Sequence, residues 1–152
     1  MRFPDTPRVL LHAFPLDHRR WDGVRVDDHV EVIAPDQRGF GTAPLGADEP
    51  DLARVAADVI ARLAGRRALI GGCSMGSYVA MAVLRAAPEL VAGLVLVSSR
   101  ATADTDAARA NREAMASRIE TEGPGFVADA MLPALLGVET HERRPEVVDT
   151  VR

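Results

Sequence analysis

The sequence predicts an α/β fold, in which a mostly parallel sheet with flanking helices is followed by a helical segment. Short apolar runs alternate with helical patterns over residues 8–98, as they do in consecutive βαβ units. The runs lack polar alternation, which predicts strands covered on both faces. After Arg100 no strand-like run occurs, and the pattern is one of helices and loops.

Four apolar runs are the predicted strands. They lie at residues 8–14, 30–34, 68–72 and 93–98. The first run ends in His-Ala-Phe-Pro, and the second is stopped by Pro35. Glycines and prolines mark residues 36–50 as a loop.

The clearest predicted helix spans residues 52–63, where apolar residues recur at steps of three and four. Asp51 stands at the N-cap position, and Gly65 follows the helix. A second amphipathic helix is predicted over residues 75–87, ended by Pro88. Weaker patterns predict helices at residues 18–26, 107–120 and 125–136, and one that begins at Pro145.

Length and composition predict one soluble domain with no nucleic-acid surface. The 152 residues carry a net charge of −4, and every basic residue except histidine is arginine. Cys73 is the single cysteine, so an internal disulfide is excluded and a reducing compartment is expected. No apolar run approaches the length of a membrane span, and Pro4 and Pro7 interrupt any signal-peptide core. We therefore expect a cytoplasmic protein.

Gly72-Cys73-Ser74-Met75-Gly76 matches the pattern Gly-x-Ser-x-Gly, with a predicted strand before it and a helix after it. A sharp strand-to-helix turn needs small flanking residues, which Gly72 and Gly76 supply. The turn places Ser74 at a helix N-terminus, where developing negative charge is stabilised. These features predict that Ser74 is a nucleophile. The N–H group of Met75 and that of Phe14, in the loop after the first strand, are the predicted oxyanion donors.

Three motifs in this order resemble the α/β-hydrolase superfamily. They are Leu-His-Ala-Phe-Pro at residues 11–15, Ala-Pro-Asp-Gln-Arg-Gly-Phe-Gly at residues 34–41, and the serine motif with the glycine before it at residues 71–76. The resemblance covers roughly residues 8–136. It is closest to the branch of small esterases, lactonases such as 3-oxoadipate enol-lactonase, and cofactor-free haloperoxidases. Ala13 and Ser77 depart from the family pattern, because glycine is frequent at both positions.

The resemblance implies an α/β-hydrolase fold that acts on carboxylic esters or lactones without a cofactor. It also implies that residues 1–100 form the N-terminal part of the core and that residues 101–152 form a helical cap segment. The loop at residues 34–41 would brace the site through its Asp and Arg. No metal site is expected, because Cys73 has no His or Cys neighbours at ligand spacing.

A serine nucleophile needs a general base, and in this fold the acid and the histidine follow the serine in the chain. The acid and the histidine normally follow later strands, and no later strand is predicted here. We therefore expect both residues beyond this chain, which would then be truncated at its C-terminus. His141 lies in a polar stretch interpreted as an exposed loop, and Asp104 is interpreted as a helix cap or first-turn carboxylate.

Two alternatives stay open. The chain is either part of a serine hydrolase or a catalytically incomplete hydrolase-fold protein that acts as a binding or assembly module. A third and weaker hypothesis has His141 completing an unusual triad within the chain. The missing strands would leave a sheet edge exposed, which predicts self-association.

Overall fold

The structure is a computed structural model that describes residues 5–24, 29–49 and 51–152. The end of the helix predicted over residues 18–26 lies outside the described residues. The chain forms two compact units, Met1–Ser99 and Arg100–Arg152, and each is described by itself. No described helix is long and apolar enough to cross a membrane.

The first unit contains a four-stranded sheet in which every pairing is parallel. The strands are β1 (Arg8–Leu11), β2 (Val32–Ile33), β3 (Ala68–Cys73) and β4 (Val91–Val97), in the spatial order β2-β1-β3-β4. The predicted α/β architecture is thereby confirmed. β1 and β2 are shorter than predicted, because the chain leaves the sheet before His12 and Ala34 to form the loops beyond it.

Two helices pack together over the core, and the second of them packs against β3. They are α1 (Leu52–Leu63) and α2 (Met75–Ala86). The Asp51 side chain accepts a hydrogen bond of 2.9 Å from the N–H of Ala53, which confirms the predicted N-cap. At the other end of α1 the backbone turns left-handed, with φ of +49° at Ala64 and +80° at Gly65.

The core lies between these helices and one face of the sheet. Its buried residues include Val9 and Leu11 of β1, Ile70 of β3, Leu63 of α1 and Val83 of α2. The alternate residues of β1 are only half buried, whereas β3 is buried at five of its six residues. The expectation of strands covered on both faces therefore holds for β3 and is wrong for β1. The covered face is the one on which α1 and α2 pack.

β4 lies at the edge of the described sheet. Val95, Leu96 and Val97 are 58%, 43% and 42% exposed, unlike the buried end of β3 beside them. The strand β4 is therefore apolar in sequence but exposed to solvent at its C-terminal end, in agreement with the expectation of an exposed sheet edge. Whether the edge drives self-association stays a prediction.

The second unit contains four helices. They are α3 (Asp106–Glu122), α4 (Val127–Leu135), α5 (Val138–Arg143) and α6 (Pro145–Val151). Thr105 caps α3 by accepting a hydrogen bond from the N–H of Ala108. Helix α5 was not predicted, because one valine followed by five polar residues, without a capping side chain, gives no periodic signal.

Also in the first unit, residues His18–Trp21 form a single 3₁₀ turn instead of the longer helix predicted from residue 18. Asp17 caps this turn by accepting from the N–H of Arg19.

Candidate active site

The candidate site lies at the carboxyl end of the sheet, where the direction of chain winding reverses. From β1 the chain moves to one side to form β2, then crosses to the other side to form β3 and β4. In open parallel sheets ligands bind at such a switch point, outside the carboxyl ends of the two central strands. Here those strands are β1, followed by the loop at residues 12–15, and β3, followed by Ser74.

Ser74 occupies a strained turn between β3 and α2. Its backbone has φ of +49° and ψ of −110°, a conformation that residues with a side chain rarely adopt. The Ser74 N–H donates a hydrogen bond of 2.8 Å to the carbonyl of Val97, at the end of β4. This turn is the structure that the Gly-x-Ser-x-Gly pattern predicts.

Both flanking glycines are required by close backbone approach. A Cβ atom on Gly76 would collide with the carbonyl of Leu11, and one on Gly72 would collide with the backbone of Gly76. The first turn of α2 therefore packs directly on the end of β1. This packing brings the serine turn next to the loop that follows β1.

The buried side chain of Ser77 stabilises the same turn. Its side chain is fully buried, and its Oγ donates a hydrogen bond of 2.6 Å to the carbonyl of Gly72. The carbonyl of Val97 lies 3.3 Å from the same oxygen. Sequence reasoning noted Ser77 only as a departure from glycine and missed its bond, which no local pattern encodes.

The two predicted oxyanion donors are the backbone N–H groups of Met75 and Phe14. Within the part of the chain that the structure describes, neither the Met75 N–H nor the Phe14 N–H donates a hydrogen bond to a protein acceptor. Met75 is the first residue of α2, so its N–H is one of the unpaired donors at a helix N-terminus. Such groups favour an anion at this position.

The loop that carries Phe14 is held by a buried pair, His12 and Gln37. The N–H of Gln37 donates to His12 Nε2 at 3.0 Å, and the Gln37 side-chain amide donates to the His12 carbonyl at 2.8 Å. His12 Nδ1 therefore carries the ring proton, 3.1 Å from the Ala13 carbonyl. Because Nε2 accepts a hydrogen bond, the ring is neutral, and burial lowers the pKa of His12 in the same sense. Sequence reasoning did not single out Gln37.

Asp36 joins the loops that follow β1 and β2. Its carboxylate accepts from the N–H and Nδ1 of His18, both at 2.8 Å. It also accepts from the N–H and hydroxyl of Thr42, at 2.9 and 3.0 Å. Burial opposes ionisation, but these bonds outweigh it and hold the pKa of Asp36 well below its usual range. The hydrogen bond to Asp36 raises the pKa of His18.

Ligand atoms of Asp17, His18 and Asp36 lie within 4.8 Å of one another. Asp17 is already bound in a bidentate pair by Arg19, and Asp36 is saturated by the donors described above. The cluster is therefore a hydrogen-bonded brace between loops. His18 and Asp36 are 18 positions apart in sequence, which is why local spacing did not reveal the cluster.

Within the described part of the first unit, no side chain hydrogen-bonds to Ser74 Oγ. Both ring nitrogens of His12 are occupied, and His18 Nδ1 is held by Asp36. Cys73 is buried, and therefore out of reach of a substrate, although its Sγ lies 3.5 Å from Arg20 Nη2.

The two doubtful candidates lie in the second unit. His141 is half-buried on α5, with Nε2 3.2 Å from the Leu132 carbonyl, so the interpretation as an exposed loop residue is wrong. Asp104 precedes the cap of α3 and pairs with Arg112 at 2.6 Å, so it is not a cap or first-turn residue either. The pairing with Arg112 lowers the pKa of Asp104.

A family model described as "Alpha/beta hydrolase family" matches residues 9–151. The chain therefore belongs to the α/β-hydrolase family. Among curated proteins, none matches the sequence significantly.

Solved structures of esterases and hydrolases resemble the chain. A thermophilic esterase from Thermogutta terrifontis is 36% identical, with a TM-score of 0.87. A hydrolase from Pseudomonas aeruginosa PA01 is 26% identical, with a TM-score of 0.81. Est816, described as an N-acyl homoserine lactone degrading enzyme, is 24% identical with a TM-score of 0.75, which supports the fold alone.

The match to each of these structures covers 96% of this chain. It covers 56% of the Thermogutta esterase, 56% of Est816 and 57% of the Pseudomonas hydrolase. The chain thus spans little more than half the length of these proteins.

Proposed function

We propose that the protein is a serine hydrolase that cleaves carboxylic esters or lactones through an acyl-enzyme on Ser74. The observation that carries the proposal is the strained turn at the switch point, which holds Ser74 at the start of α2, directly before Met75. Among the described residues the N–H groups of Met75 and Phe14 have no protein acceptor, which supports their proposed role as oxyanion donors. The similarity to a thermophilic esterase supports ester substrates. Lactones are included because a lactone is a cyclic ester with the same electrophilic carbonyl.

In the proposed reaction, Ser74 Oγ forms a bond to the substrate carbonyl carbon while its proton passes to a general base. The N–H groups of Met75 and Phe14 hold the oxyanion. Collapse of the tetrahedral intermediate breaks the bond to the alcohol oxygen, which takes the proton back. Water then attacks the acyl-enzyme in the same way and releases the acid. With a lactone, acid and alcohol leave as one molecule.

The general base is proposed to come from outside these 152 residues. His12 is buried, neutral and bonded through both nitrogens, and His18 bonds Asp36. His141 is the one histidine that follows Ser74 in the sequence, and its Nε2 lies against a backbone carbonyl. A base added from solution should therefore increase the reactivity of Ser74.

The test is fluorophosphonate labelling of the 152-residue chain, followed by intact mass spectrometry, with and without imidazole as an external base. We expect slow labelling that imidazole accelerates, and no labelling of Ser74→Ala. Ser117→Ala, on the exposed side of α3, is the matched control and should label as the wild type does.

Three other labelling results would contradict the proposal or favour one of its alternatives. Labelling that persists in Ser74→Ala would refute the proposal. Loss of labelling in His141→Gln would place the base within the chain and favour the unusual triad. A folded chain that never labels, even with imidazole, would favour the alternative of a hydrolase-fold binding or assembly module.

A further inference from the structure

A groove of about 310 Å³ lies beside the candidate oxyanion donors, entirely within the first unit. Its apolar wall consists of Phe40, Leu45, Leu52, Val55, Met75 and Val79. The loop after β2 contributes Phe40 and Leu45 to the groove, and the start of α1 and the first turns of α2 contribute the other apolar residues. Leu45 and Leu52 are 55% and 38% exposed, so the groove is open to a ligand.

The groove is continuous with the site on two sides. Met75 lines it and directly follows Ser74, and Val79 lies one helical turn further along α2. Phe40 also lines it, and its ring meets the ring of Phe14 edge-on at 6.0 Å. A substrate whose carbonyl lies between the N–H groups of Phe14 and Met75 therefore has this apolar surface next to it.

The rim of the groove carries acidic charge. Its acidic residues are Asp48, Glu49 and Asp51, and its basic residues are Arg38 and Arg54. Arg54 pairs with Asp48 at 2.9 Å, and Arg38 pairs with Asp58 at 2.5 Å. Both of these guanidinium groups are paired, so the described lining residues offer no free cation to a substrate carboxylate, and the acidic side chains repel one.

We propose that this groove binds a short, uncharged hydrocarbon chain of the ester substrate and excludes a chain that ends in a carboxylate. The inference rests on the proposed function, because it assigns part of the substrate of the same site. Ligand pockets run from roughly 300 to 1,000 Å³, so a groove of 310 Å³ suits a small chain.

The test measures binding in the Ser74→Ala background, so that it does not depend on hydrolysis. Methyl pentanoate is titrated into the ¹⁵N-labelled chain, and amide chemical shifts are followed by NMR. We expect saturable shifts that centre on Phe40, Leu45, Met75 and Val79. Shifts that centre elsewhere, or no saturation, would overturn the inference while leaving the reactivity of Ser74 untouched.

Leu52→Glu places a carboxylate in the apolar wall and should weaken binding of methyl pentanoate about tenfold. The first turn of a helix tolerates glutamate, so α1 should persist. Leu84→Glu, on α2 and away from the groove, is the matched control, because Leu84 is 39% exposed against 38% for Leu52. It should bind as the parent does. If Leu52→Glu does not fold, Leu45→Glu at the more exposed position replaces it.

A second ligand tests the charge of the rim. Monomethyl glutarate has nearly the same length as methyl pentanoate but ends in a carboxylate. We expect it to bind at least about fivefold more weakly, with the difference reduced at high salt because exposed charges are screened. Equal binding of the two esters, or binding unchanged in both the Leu52→Glu and Leu45→Glu variants, would overturn the inference.

Discussion

The two units of the chain differ in how they are held together. Most of the buried apolar residues belong to the first unit, whereas among the described residues of the second unit only Val127 and Leu132 are buried apolar ones. The second unit instead has exposed polar contacts. Examples are the ion pair of Arg118 with Glu122 and the cation–π contact of Arg118 with the ring of Phe126. Strain of the kind found at Ser74 persists only where the surrounding packing determines it. The first unit supplies that packing.

The largest expected difference between the units is in how a glycine-to-alanine substitution changes the free energy of unfolding. Gly76→Ala should lower the free energy of unfolding by about 3 kcal/mol or more, because the new Cβ meets the backbone of Leu11. Gly125→Ala in the second unit meets no atom within 4 Å and should change it by no more than about 0.5 kcal/mol. Urea denaturation of both variants measures the contrast. Equal effects would mean that the close packing of α2 on β1 is not needed.

The next largest difference is expected when a buried apolar side chain of the first unit and an exposed one of the second unit are each truncated to alanine. Leu63→Ala removes a fully buried side chain of α1 and should cost about 2–5 kcal/mol, through lost burial and the cavity left behind. Val138→Ala, at a side chain that is 74% exposed on α5, should cost less than about 0.5 kcal/mol. Thermal and urea unfolding test this. A large loss at Val138 would reveal burial in solution that this structure lacks.

Asp36→Asn should cost about 1.5–3 kcal/mol at pH 5.5, because it weakens four charge-assisted hydrogen bonds. The pKa of Asp36 is depressed, so its contribution is complete above the ordinary carboxyl pKa and is lost as pH falls. The pKa of His18 is raised, so its contribution is complete below the ordinary histidine pKa and is lost as pH rises through the raised value.

The gap in stability between the wild type and Asp36→Asn should therefore be widest between about pH 5 and 6. It should narrow at pH 3.5 as Asp36 loses its advantage, and also at pH 8.5 as His18 deprotonates. Urea denaturation at the three pH values measures it. A gap that does not vary with pH would contradict the ionic character of this brace.

The smallest effect is expected at a surface pair of the second unit. Arg143 and Glu139 pair at 3.0 Å, with side chains 74% and 79% exposed. Arg143→Ala should therefore change the free energy of unfolding by no more than about 0.5 kcal/mol, and salt should reduce the effect further. A loss above about 1 kcal/mol would show that surface pairs stabilise the second unit more than their exposure implies.

Local sequence patterns predicted the elements near the candidate nucleophile closely. The helix expected over residues 75–87 is α2, Met75–Ala86, and the turn before it has the strained backbone that Gly-x-Ser-x-Gly demands. Such features could be predicted because their causes are adjacent in sequence. Helix α5 could not, because it is too short to develop a period. The strand at residues 30–34 was predicted from its apolar run, although only Val32–Ile33 pairs in the sheet.

Contacts between distant segments account for what sequence reasoning missed. Gln37 meets His12 across 25 positions, and the side chain of Ser77 reaches the carbonyl of Val97 across 20. Each bond depends on the order of strands in the sheet, because that order brings the loops after β1 and β2 together and sets β4 beside β3.

The sequence and backbone shape of the turn at Ser74 were thus determined locally, by two glycines that flank one serine and by the strand and helix on either side. The surroundings of that turn were decided by folding: which loop holds Phe14, which donors saturate Asp36, and where an apolar groove opens beside Met75. Periodicity and turn chemistry act over a few residues, whereas these features arise from strand order and the packing of backbones far apart in the chain.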